Sequence, residues 1–223
     1  MHLNFIECDM LNDLITITPQ HESSARAIFS KVLERRKLLT KDKMIITITG
    51  EVGSGKSTIS NVLGRLLKDE GIRAKIIDLD DFYKIPPLQR REWRVKNGLE
   101  SIGYDEYDWD VLNSNIAAFM KDKSATMPCV DLITSYVDEL KTNYKGVDVL
   151  IINGLYALKI KEADLKVFVE YTYHETREAQ LYGGKEKMDD YRQKVLQREH
   201  EVVTSMKNHA EFFVDFESSL FHL

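Results

Sequence analysis

The stretch T-G-E-V-G-S-G-K-S-T, Thr49–Thr58, decides the fold. Gly50, Gly53, Gly55, Lys56 and Ser57 fill the pattern G-x-x-x-x-G-K-[ST] without a gap. Glycines let a chain turn sharply and bring successive N–H groups against an anion. A helix that starts directly afterwards adds its positive end. The pattern predicts a phosphate-binding loop made of Gly50, Gly53, Ser54, Gly55, Lys56, Ser57 and Thr58. In such a loop the lysine reaches the β- and γ-phosphates and the serine hydroxyl ligates Mg²⁺. ATP is expected rather than GTP, because no N-K-x-D segment that would read guanine occurs.

The flanks supply the context the loop needs. M-I-I-T-I-T, residues 44–49, is an unbroken apolar and β-branched run, as a strand buried on both faces should be. K-S-T-I-S-N-V-L-G-R-L-L-K-D-E-G then places Ile59, Val62, Leu63, Leu66 and Leu67 on one helical face, with Gly71 as stop. Further strands are expected over 74–80, 147–152, 165–171 and 211–216, and helices over 109–120 and 191–210. Strands alternating with helices predict a mainly parallel sheet covered on both faces. Residues 1–43 precede this unit as an extension. It should hold a short strand over Leu14–Pro19 and a helix over 22–39, packing on or near the core or against a second copy of the chain.

Composition sets outer bounds. The 223 residues carry a formal net charge of -5 and are 43% hydrophobic, which fits one α/β domain with a sizeable core. An acidic balance argues against nucleic acid as the main partner. No apolar run is long enough to span a bilayer, and the first ten residues lack the basic and apolar regions of a signal peptide. The two cysteines, Cys8 and Cys129, lie far apart in no metal-ligand spacing, so a reducing cytosol is the expected compartment.

I-I-D-L-D-D-F-Y-K places Asp78, Asp80 and Asp81 at the C-terminal end of the second strand, the edge where open parallel sheets bind ligands. A carboxylate there can take the proton of an attacking hydroxyl or hold a metal-bound water. A solvated acidic loop is the equally weighted alternative.

G-E-V-G-S-G-K-S-T, D-L-D-D-F-Y-K, G-Y-D-E-Y-D-W-D-V-L, V-L-I-I-N-G-L-Y-A-L, L-K-V-F-V-E-Y and R-E-H-E-V-V-T-S-M-K-N-H-A-E-F-F-V follow one another in that order. This series resembles the uridine kinase and phosphoribulokinase family of P-loop kinases, from about Met44 to Phe216. The resemblance implies a P-loop-type three-layer α/β/α domain over 44–223 with a small helical lid. It implies transfer of the γ-phosphoryl group of ATP, with Mg²⁺, to the hydroxyl of a small molecule. It places Asp80 at the family's catalytic aspartate, beside Ser57 at the metal. Tyr83 and Lys84 fall on the acceptor side, and Arg177 matches a lid arginine near the phosphates. A helix-surface cation is the competing reading of Arg177.

The chain also departs from the family pattern. Asn153 stands where the strand after the metal site ends in glutamate. The lid segment Q-L-Y-G-G-K-E-K-M-D-D offers Lys185 and Lys187 in place of several arginines, with Gln180 at a second lid arginine. Ile102, Val130 and Ser135 fall where the family contacts uridine through an aspartate, a tyrosine and a histidine, whereas Asp131 is kept. The segment after Asp81 adds Arg90, Arg91, Arg94 and Lys96 around Trp93. Most of these should form a solvated basic helix, with one such as Arg94 facing an anionic acceptor. The expected partner is therefore a small hydroxyl-bearing molecule: a nucleoside, sugar, sugar phosphate or vitamin-like compound. Two alternatives remain open: a nucleotide-binding protein with little turnover, and a uridine or cytidine kinase.

Overall fold

A computed structural model describes residues 17–131, 133–176 and 188–215. Five strands form one parallel sheet: β1 (Met44–Gly50), β2 (Ala74–Asp78), β5 (Val149–Asn153), β6 (Leu165–Val169) and β7 (Phe212–Val214), in the order β2-β5-β1-β6-β7. The strands read as continuous apolar runs because each face has its own core. Along β1, Ile45 points into one cluster, with Leu150, Ile152 and Phe168. Met44, Ile46 and Ile48 point into the other, with Val149, Ile151, Leu165 and Val167. Alternation is present in the side-chain directions and absent from the polarity.

Helices cover both faces. α1 (Pro19–Leu38) and α2 (Lys56–Asp69) lie on the side of Ile46 and Ile48, where Ala25, Ile28, Val32, Ile59, Leu63 and Leu67 are buried. α4 (Trp109–Met120) and α5 (Asp190–Ser205) close the opposite face through Leu112, Ile116, Phe119, Val202 and Val203. α3 (Pro87–Asn97) lies between β2 and α4 in sequence and buries only Arg94. This is the three-layer α/β/α arrangement expected from the sequence.

Three details differ from expectation. The strand foreseen at 14–19 does not continue into the described residues. Thr18 instead caps α1 in a reciprocal pair with His21, and Pro19 occupies the first turn, where a missing N–H costs nothing. The second strand ends at Asp78, and Leu79–Phe82 forms a 3₁₀ turn, because the Asp78 carboxylate accepts a hydrogen bond from the Asp80 N–H. Residues 124–143 form an unforeseen antiparallel hairpin, β3 (Ser124–Val130) and β4 (Val137–Asn143). Its polar composition hides it: V-D-E-L-K-T-N buries only Thr142, and Pro128 interrupts the β3 pattern.

Candidate active site

The phosphate loop joins the buried end of β1 to the first turn of α2. Gly50 admits no side chain: a Cβ there would lie 2.5 Å from Ser54 Oγ and 3.1 Å from Val169 Cβ. Gly53 and Gly55 have φ of +79° and +81°, values that favour glycine. Gly55 caps α2 and, having no side chain, makes no capping hydrogen bond to the opening N–H groups of the helix. Ser54 is fully buried, and its hydroxyl has no hydrogen-bond partner among the described residues. Lys56 Nζ donates to the Glu51 carbonyl at 3.3 Å, arching over the loop. An uncapped helix start, an orphaned hydroxyl and a lysine folded onto a loop carbonyl fit a triphosphate.

Ser57 sits between two strand ends. Its hydroxyl lies 3.1 Å from Asn153 Oδ1 and 3.4 Å from Asp78 Oδ2. Asp78 and Asn153 are register partners at the C-terminal ends of β2 and β5. Asn153 is buried, and its amide N–H reaches back to the Ile77 carbonyl at 3.5 Å. The sequence reading pairs Ser57 with Asp80; in the structure Ser57 instead faces Asp78 and Asn153. The described residues hold no group of three or more His, Cys, Asp or Glu side chains that could enclose a metal. One carboxylate, a hydroxyl and an amide are nevertheless compatible with Mg²⁺, which keeps several waters and takes the remaining ligands from phosphate.

Asp80 stands on the exposed side of the 3₁₀ turn, and its carboxylate has no hydrogen bond or ion pair among the described residues. It lies on the side of two tyrosines. Tyr83 and Tyr107 stack at 4.1 Å, and the edge of Tyr156 meets Tyr107 at 5.5 Å. Burial, reinforced by the charge of Asp80, pushes the Tyr83 phenol above its ordinary range. Burial also raises Tyr107, with Tyr83 and Asp80 adding to it. Both phenols are therefore neutral at any working pH. Backbone pairing locks this corner: Lys84 N–H donates to the Glu106 carbonyl at 2.8 Å, and Asp108 N–H to the Phe82 carbonyl at 2.7 Å. Asp81 accepts from the Val130 N–H at 3.0 Å, tying β3 to the same turn.

Arg94 is buried and gripped by Glu106 through two bonds of 2.6 and 2.9 Å, with Glu199 at 3.2 Å. It is a structural cation rather than a group turned to an anionic acceptor. Arg91 pairs with Asp189 at 2.6 Å, and Arg90 stacks on Tyr83 at 3.4 Å from the ring centre. Asp131 holds the hairpin turn, accepting from Ile133 N–H at 2.8 Å and Thr134 N–H at 3.0 Å. Those two bonds, Thr134 foremost, keep its carboxyl below the usual range. Ile102 is buried in the protein interior, and Ser135 sits on the hairpin turn with φ of +58°. Arg177, Gln180, Lys185 and Lys187 lie outside the described residues.

Sequence reading missed one connection. Glu51, inside the phosphate loop, is buried and accepts from the Tyr173 N–H at 2.8 Å, and its other oxygen lies 2.7 Å from His200 Nδ1 on α5. Thr176 Oγ1 donates to the Val52 carbonyl at 2.9 Å. The loop is thus clamped from both sides of residues 177–187. Nothing in the local pattern around Glu51 signals a partner 149 residues away.

Residues 45–175 match the sequence profile described as the Phosphoribulokinase / Uridine kinase family, more than half of the chain. The chain belongs to this family. A uridine kinase of Ureaplasma parvum serovar 3 is 29% identical over 141 residues, which cover 59% of this chain and 64% of the relative, less than two thirds of its length. The bifunctional alpha-galactosidase/sucrose kinase of Mediterraneibacter gnavus is 24% identical over 197 residues, 81% of this chain and 21% of that one. Among solved structures, D-glycerate 3-kinase from Cryptococcus neoformans superposes with a TM-score of 0.62 at 15% identity, covering 90% of this chain and 97% of that one. At that identity the likeness concerns the fold.

Proposed function

We propose that this chain transfers the γ-phosphoryl group of ATP to a hydroxyl of a small molecule. The observation that carries the reading is one sheet edge bearing two complementary halves. On one side stands an uncapped helix start with Lys56, and on the other the Asp80 carboxylate, free of hydrogen bonds and ion pairs among the described residues. The loop N–H groups and Lys56 hold the phosphates and offset negative charge as it shifts during transfer. Asp80 takes the proton of the attacking hydroxyl. Ser57, with Asp78 and Asn153 beside it, would hold Mg²⁺, which would supply charge neutralisation at the phosphates. The stacked Tyr83–Tyr107 pair stands beside Asp80 on the acceptor side.

The acceptor is a compound other than a pyrimidine nucleoside. Ile102 is buried as a core residue, and Val130 commits its N–H to Asp81. Neither offers the side-chain hydrogen bond that a ribose or a pyrimidine would need. The relatives span uridine and sucrose kinases and share a fold with a glycerate kinase, so with pyrimidine nucleosides set aside the choice is open across other nucleosides, sugars and small hydroxy acids. An ATP-consumption screen over those classes, with Asp80→Asn as the control, tests the reading. Acceptor-dependent consumption lost in the variant supports it. A second reading, nucleotide binding with little turnover, is favoured by Asn153 in place of the family's glutamate; acceptor-independent binding with no turnover on any class would select it.

A further inference from the structure

Asn153 leaves the metal site one carboxylate short of the family pattern, and the structure shows where a replacement stands. Asp78 and Asn153 face each other in register on adjacent parallel strands, both at the C-terminal edge. The Ser57 hydroxyl touches the reach of both, at 3.4 and 3.1 Å. Oxygens on adjacent corners of an octahedral Mg²⁺ shell lie about 3 Å apart, given metal–oxygen distances of about 2.1 Å. The Ser57 oxygen thus stands at about the spacing of a neighbouring ligand from each of the other two. The two oxygens of Asp78 divide their work: Oδ1 accepts the Asp80 N–H at 2.9 Å, while Oδ2 turns to Ser57.

Resting on the phosphotransfer reading above, we infer that the acidic group of the metal site has moved across one strand, from residue 153 to Asp78. Asp78 holds the ion or one of its waters beside Ser57, and Asn153 contributes a neutral oxygen. The exchange preserves the net charge around the metal while shifting its source from β5 to β2. It also separates duties among the aspartates. Asp78 serves the metal, Asp80 faces the acceptor side, and Asp81 fastens the hairpin through Val130. The position next to Asn153 explains why the strand end is so close: a Cβ on Gly154, at φ +156°, would lie 2.5 Å from the Leu79 Cβ, so β5 and the aspartate turn are in direct contact.

The test is Mn²⁺ binding in the presence of ADP, followed by electron paramagnetic resonance, with metal-free ADP binding measured alongside. Asp78→Asn should weaken Mn²⁺ binding by about 10–100-fold, the range seen when groups that support a metal are removed. Metal-free ADP affinity and the circular dichroism spectrum should stay at the parent's values, which separates loss of the metal from loss of the fold. The reciprocal exchange, Asp78→Asn with Asn153→Asp, should recover most of the lost affinity. Parent-like Mn²⁺ binding in Asp78→Asn would overturn the assignment and leave phosphotransfer standing. So would an exchange variant no better than the single one. A parent that binds no ADP at all would instead remove the phosphotransfer reading, and the assignment with it.

Discussion

On the phosphotransfer reading proposed above, the phosphate side and the acceptor side of the site are built from opposite materials. The phosphate side is backbone: one contiguous loop, Gly50–Ser57, in which glycines at close approaches and positive φ aim N–H groups at an anion. The acceptor side is made of side chains from separate segments, with Asp80 and Tyr83 from the turn after β2, Tyr107 from the segment before α4, and Arg94, Glu106 and Glu199 beneath them. Backbone recognition suits a ligand group that is the same in every reaction of this kind. Side-chain recognition suits the part that changes from one acceptor to another. Loss of a loop group should therefore affect every acceptor alike, and loss of an acceptor-side group should affect them selectively.

The largest effect on turnover should come from Asp80→Asn, which keeps the shape and removes the proton acceptor. Turnover is expected to fall by roughly two to four orders of magnitude, the usual worth of general base catalysis, with ATP affinity unchanged. Parent-like kcat in this variant, with a large loss in Asp78→Asn, would exchange the duties of the two aspartates.

Next in size is Arg94→Met. Removing a buried cation strands Glu106 and takes one partner from Glu199, which keeps Arg192 at 3.6 Å, and breaking a buried pair in this way typically costs about 3–5 kcal/mol. Chemical denaturation should show that loss, whereas Arg90→Met, on a stacked and half-buried side chain, should leave the midpoint almost unmoved. If Arg94→Met kept parent stability and lost acceptor binding, Arg94 would belong to the site after all.

Uridine and cytidine should be poor acceptors. Three side-chain hydrogen bonds missing at Ile102, Val130 and Ser135, each worth about 1 kcal/mol, correspond to about two orders of magnitude in kcat/KM. A kcat/KM for uridine of about 10⁴ M⁻¹s⁻¹ or more would contradict this. The smallest effect should belong to Asp131→Asn. Asparagine supports the same turn, so turnover should match the parent's; a marked loss would return Asp131 from the hairpin turn to the acceptor.

The same contrast explains what the sequence made visible. The loop, the strand before it and the helix after it were legible because backbone function leaves a contiguous signature of glycine, lysine and β-branched residues. The buried strands were legible because both faces of the sheet are covered. The hairpin over 124–143 was not, since a two-stranded ribbon with one wet face carries little hydrophobic signal and Pro128 breaks it. Arg94 read as a cation turned to an anionic acceptor because its partners lie 12 and 105 positions away, and charge patterning speaks only for near neighbours. Glu51 was hidden for the same reason, its partner His200 lying on α5. Asp78 was visible as an acid at the strand end; its pairing with Ser57 and Asn153 required the register of β2 against β5.

The central claim is that Gly50–Ser57 holds the phosphates of ATP through backbone N–H groups and Lys56. Calorimetric titration of MgATP into the parent and Lys56→Ala tests it most directly. The parent should bind, and the variant should bind at least about tenfold more weakly, a loss of about 1.4 kcal/mol, with an unchanged melting temperature. Equal binding by both proteins, or none by the parent, would contradict the account.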